Sequence, residues 1–167
     1  MRGWLYGFAG SGALVGTMAL VYGQSRAFFL SPVFQWSLVI IYLGAMALSL
    51  LRRPQLPQPE AIRTALIVFV CVSGAYYGYT YLLYEVFDPE LYQLQSELMI
   101  ENAERYQTGS PGRFEETPAE LYAPARLQYT LSGIAFNFAL SCLSGAAVAY
   151  LLGTLLGRKE TPSKQPA

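Results

Sequence analysis

Apolar residues fall into four uncharged runs, at residues 3–23, 33–51, 64–84 and 127–157, with the polar and charged residues gathered between them. A helix rises ~1.5 Å per residue and the hydrocarbon core of a bilayer is ~30 Å thick, so about twenty such residues cross it. The last run, 31 residues long, is too long for the core helix of a water-soluble domain. The pattern predicts an all-α integral membrane protein with four transmembrane helices over those ranges, in a single membrane domain, 1–157. The first run exceeds the apolar core of a secretory signal, and the segment after it, VYGQSRA, offers no small-x-small cleavage site, so it is expected to stay as an anchor.

Within the runs, small residues recur at helical spacing. Gly133, Asn137, Ser141, Gly145, Ala149 and Gly153 occupy every fourth position of the last run. Such a row lets a second helix approach backbone to backbone, where lipid supplies no hydrophobic driving force. On a helix of 3.6 residues per turn the row drifts, so three or four members are expected to face one neighbour and the rest another. Gly3 and Gly7, then Gly12 and Gly16, form two glycine pairs in the first run, which makes that span the expected partner of the last. In the third run Gly74 and Gly78 lie one turn apart on the side that also bears Tyr77, Tyr81 and Glu85, and this face is expected to look into the bundle. The tyrosines at 76, 77, 79, 81 and 84 read as an aromatic belt, and Gln35 with Trp36 as interface residues.

The connections differ in kind. Residues 24–32 are few, so the first two spans form an antiparallel pair. Pro54, Pro57 and Pro59 predict an extended linker over 52–63. Between the third and fourth spans, residues 85–126 are polar. Asp88-Pro89 predicts an N-cap and first turn, opening a helix over 90–106 with Leu91, Leu94 and Leu98 on one side and Glu90, Glu97, Glu101 and Glu104 on the other. Thr108 to Gly112 is a breaker, and Thr117 to Glu120 has the form of a capping box that opens a second short helix. This segment is expected to form an amphipathic helical cap. Residues 158–167 read as a disordered tail.

Four spans put both termini and the proline-rich linker on one side. That side carries seven Lys and Arg against two Glu, and the other carries four Arg against nine Asp and Glu. Basic residues mark the cytoplasmic face, so the expected location is a bacterial inner membrane, with both termini cytoplasmic and the cap extracytoplasmic.

Composition narrows the chemistry. The chain is 53% hydrophobic and only 13% charged over 167 residues, with a formal net charge of +0, which gives no reason to expect a nucleic-acid partner. It has no His, and Cys71 and Cys142 both lie inside apolar runs, so neither a metal site nor a disulfide framework is expected. The acidic face of the cap reads as solvated rather than as a calcium loop. Asn137 is expected to make an interhelical hydrogen bond, and Glu85 to form an outer-surface ion pair with Arg126 or Arg26. With no nucleophile and base pair and no phosphate-cradling loop, an enzyme is not expected, nor any cofactor or small-molecule substrate.

The glycine-rich first span, the stretch YLLYEVFDPELYQLQSELMIENAERYQTG and a small-residue-rich last span ending in Gly157-Arg158-Lys159 resemble a four-span bacterial membrane family, common in Bacteroidota and catalogued as a domain of unknown function (number four-one-nine-nine). The proline-rich linker departs from the glycine-containing connection of that family. The resemblance implies fold and location, and carries no activity or site residues. The expected function is that of a non-catalytic accessory subunit, packing against other membrane protein subunits within the lipid bilayer. The alternative is a small transporter or channel, with Asn137, Tyr77, Tyr81 and Glu85 lining a path.

Overall fold

The computed structural model describes residues 3–53, 56–107 and 128–157, with the backbone alone for 102–107. Its elements in order are α1 (Gly3–Gln24), α2 (Arg26–Phe29), α3 (Pro32–Leu51), α4 (Gln58–Leu82), a π-helical turn (Leu83–Phe87), α5 (Leu91–Gln107) and α6 (Leu131–Leu156). Among the described residues, four helices are long and apolar enough to cross a membrane: α1, α3, α4 with its π turn, and α6. Their outer surfaces suit lipid, since Trp36 is 75% exposed and Leu155 78%.

Hydroxyl caps set the starts. Ser25, Ser31 and Thr130 accept from the backbone N–H groups of Phe28, Phe34 and Gly133, satisfying donors that the first turn of each helix leaves free. The last span therefore begins at Leu131, just after its cap. The third span departs further from expectation, α4 starting at Gln58 rather than Thr64, so half of the linker is helical. Pro57 stands at the N-cap and Pro59 in the first turn, where a missing N–H costs nothing and the fixed φ already suits the helix.

α4 is the hub of the bundle. On one side α1 lies parallel to it: Gly3 meets Thr64, Gly7 meets Cys71, Gly10 meets Val72, and the Ser11 hydroxyl donates to the Cys71 carbonyl at 3.0 Å. α3 runs antiparallel, with the Tyr42 ring 5.5 Å from Phe69 and the Tyr76 hydroxyl bonded to Gln35. α6 is also antiparallel, so that Phe138, Gly145 and Gly153 stand beside Tyr77, Phe69 and Ile62 in turn. The expected pairing of first and last spans is thus replaced: each packs on α4, and no comparable contact joins them. The reason is the α4 stripe of Ala61, Ala65, Val68 and Val72, whose small, fully buried side chains admit neighbours closely.

The glycines divide sharply. A Cβ at Gly153 would stand 2.8 Å from the backbone nitrogen and Cα of Ile62, one at Gly7 2.8 Å from the Cβ of Cys71, and one at Gly145 would collide with the Phe69 ring. At Gly12, Gly16, Gly74 and Gly78 it would meet nothing within 4 Å. The face of α4 expected to look inward is therefore the outer one, and Glu85 is exposed with it. The inward face is the one that continues the buried stripe, through Ser73, Tyr76 and Thr80 to Leu83 and Tyr84.

Candidate functional site

Polar side chains concentrate at one end of the bundle, where α1 ends, α3 and α6 begin, and α5 folds back. Asp88-Pro89 was expected to cap α5. Instead, the residue before a proline avoids the α region, so Asp88 (φ −146°, ψ 75°) closes the π turn, its N–H bonded to the Leu83 carbonyl at 2.8 Å. Its side chain turns inward, 6% exposed. There the Tyr22 hydroxyl donates to Oδ2 at 2.6 Å and the Arg26 Nε approaches the same oxygen at 3.3 Å, with the guanidinium 5.8 Å from the Tyr22 ring centre. A buried carboxylate needs such partners, and these tie α1 and α2 to the end of α4. The ion pair at this level is thus Arg26 with Asp88 rather than with Glu85. Arg126 lies outside the described residues, as do the capping box at 117–120 and the tail.

Beside this clasp lies a cavity of about 210 Å³. Its polar lining is Gln35, Tyr76, Thr80, Tyr84, Gln95 and Tyr129, with Met18, Phe29 and Leu30 completing the wall. Tyr76, Thr80 and Tyr84 share one helical face at spacing four, and α5 brings Gln95 over them because its inward face carries Leu91 and Ser96, both buried.

Two short relays organise the lining. The Tyr76 hydroxyl donates to Gln35 Oε1 at 3.0 Å, and Gln35 Nε2 donates to the Phe29 carbonyl at 2.9 Å. In the second, the Tyr84 hydroxyl donates to Gln95 Oε1 and Gln95 Nε2 to the Tyr129 hydroxyl, each at 2.9 Å. The Tyr84 and Tyr129 rings stack, 3.9 Å between centres and 7° between planes, with Tyr92 edge-on to both. The Thr80 hydroxyl is buried on the cavity wall, one helical turn from Tyr76. The lining is uncharged throughout, so its chemistry is neutral hydrogen bonding against aromatic faces.

The residues singled out from sequence lie elsewhere. Gly145, Ala149 and Gly153 are buried toward α4, while Gly133, Asn137 and Ser141 are half-buried. Tyr77 packs edge-on against Phe138 at 5.9 Å, and with Glu85 outside, the set Asn137, Tyr77, Tyr81 and Glu85 does not converge on the cavity. Cys71 and Cys142 are free thiols, and among the described residues no three His, Cys, Asp or Glu side chains gather as a metal site would need. Sequence reasoning missed the cavity because the tyrosines read as a belt; the spacing of Tyr76, Thr80 and Tyr84, in register with the buried stripe, was the available signal.

Compared with protein-family models, with curated proteins and with solved structures, the chain has no match in any of the three.

Proposed function

We propose that the protein is a non-catalytic subunit of a larger inner-membrane assembly, acting by helix packing. One observation carries this reading: the glycine pair Gly12 and Gly16 on α1 meets nothing within 4 Å among the described residues. The same outer face continues through Ala9, Ala13, Ala19 and Gly23, all exposed. Glycine in a helix costs about 1 kcal/mol relative to alanine, and two of them one turn apart leave a notch between the exposed Leu5, Phe8 and Leu20. Close approach by another helix is the use such a surface has. Gly74 and Gly78 on α4 offer a second surface of the same kind.

The distribution of basic residues supports an orientation with both termini and residues 52–63 in the cytoplasm and α5 on the outer side. Isolation from native membranes in mild detergent tests the proposal. A stoichiometric partner should accompany the protein and be lost in the double variant Gly12→Leu, Gly16→Leu, with the four-helix fold retained. A clean monomer, or an assembly of this chain alone, would refute it.

A further inference from the structure

We infer that a second cavity, between the starts of α1 and α4, binds the phosphodiester of a phospholipid head group between the guanidinium groups of Arg53 and Arg63. The inference rests on the membrane-spanning helices and stands independently of the packing role.

This cavity, about 350 Å³, lies at the end of the bundle opposite the tyrosine-lined one. Glu60, Arg63, Thr64 and Ile67, three and four residues apart, bring one face of α4 to its wall, and Gly3 of α1 adds no side chain to the gap. Arg53 enters from the connection before α4. Its N–H donates to the Leu50 carbonyl at 2.8 Å and its carbonyl accepts from the Leu56 N–H at 3.1 Å, which fastens its backbone on both sides.

The charges on this wall are unspent. Arg63 follows Glu60 at a spacing that favours an ion pair on a helix, yet among the described residues the one ion pair is that of Arg26 with Asp88. Arg53 is half-buried and equally unpaired, and an anion bridging the two forks would supply the acceptors that both lack. Thr64 adds a hydroxyl at the same wall; among the described residues it makes none of the bonds to the preceding turn that Thr17 and Thr154 make. Two guanidinium charges against the one carboxylate of Glu60 leave the wall at +1. A phosphodiester, singly charged, balances that; a nucleotide or a multiply phosphorylated head group brings more negative charge than the wall can meet.

The apolar part of the wall selects a lipid over the free ion. Trp4, 52% exposed, lines the cavity with its ring 6.5 Å from that of Phe8, one turn further into the span and 68% exposed. An apolar path therefore leads from the arginines along the outside of α1, where the acyl chains of a bound lipid would lie. Arginine and tryptophan together mark the head-group level, and basic pockets between spans suit phospholipid head groups.

Trp4 reports on its own cavity. In full-length Trp36→Phe protein in detergent micelles, phosphatidylglycerol brominated on its acyl chains should quench Trp4 saturably, at one lipid per chain. Arg53→Gln and Arg63→Gln should each raise the half-saturating concentration about fivefold, whereas Arg52→Gln, which removes the same charge from an exposed neighbour outside the cavity, should raise it less than about twofold. Glu60→Gln should tighten binding about threefold, a gain that misfolding cannot imitate. Brominated diacylglycerol, which lacks the phosphate, should show no saturable site, and inorganic phosphate in large excess should not displace the lipid. Five outcomes would overturn the inference: quenching that never saturates, an Arg52→Gln effect equal to those of the cavity arginines, no gain in Glu60→Gln, saturable binding of the diacylglycerol, or displacement by inorganic phosphate, which would make this a site for the free ion.

Discussion

Tyr22 and Asp88, 66 residues apart in sequence, are joined by a hydrogen bond of 2.6 Å that fastens the end of the first helix to the end of the third span. Because the acceptor is a buried carboxylate, this bond belongs to the stronger class, worth about 1.5–3 kcal/mol. Tyr22→Phe should lower the thermal midpoint measured in detergent accordingly. Arg26→Ala, whose side chain is half in solvent, should cost less. The double variant should depart from additivity, because the two side chains share one oxygen. Simple additivity would mean that they act separately.

Glycine substitutions should divide as the packing does. Gly153→Ala forces α6 away from backbone atoms of Ile62, which cannot rotate aside, and should cost about 1–3 kcal/mol. Gly145→Ala meets a ring, which can turn, and should cost less. Gly12→Ala should leave the isolated chain unharmed or raise its stability by up to ~1 kcal/mol. Melting curves of the three variants in one detergent give the order, and equal losses at Gly12 and Gly153 would contradict the assigned faces.

The tryptophans should report two shallow depths. Trp4 stands in the first turn of α1 and Trp36 in the first turns of α3, both exposed and at opposite ends of an antiparallel pair. Lipids brominated near the head group should quench both more strongly than lipids brominated at the chain end, with Trp4→Phe and Trp36→Phe separating the signals. Stronger quenching from the bilayer centre would displace the spans from their proposed depth.

The proposed orientation has a direct check. A cysteine introduced at the exposed Gln93 of α5 should react with a membrane-impermeant maleimide in intact cells, whereas one at the exposed Glu60 should react only after permeabilisation. The reverse pattern would invert the charge-based assignment.

What the sequence made legible and what it did not follow from the forces involved. Hydropathy over ~20 residues is a summed signal, so the four spans emerged with little error. The start of α4 did not, because Pro57 and Pro59 break helices in most positions and begin them in one. The face of α4 was reversed because glycines attract attention as packing surfaces, whereas Ala61, Ala65, Val68 and Val72 set the buried side and carry Tyr76 and Thr80 with them. The π turn has no sequence signature, and without it Asp88 reads as a cap rather than as the partner of Tyr22. The cavity could not be read from any one segment, since Gln35, Tyr84, Gln95 and Tyr129 meet only once four elements are in place.

The hub position of α4 bears on how the chain is made. When the ribosome has delivered only the first hairpin, Gly10 has Ala45 beside it and the Ser11 hydroxyl the Gly7 carbonyl, but the Gly3 and Gly7 edge has no mate until residues 58–82 follow. α6, made after α4, finds the surface it packs on already synthesised.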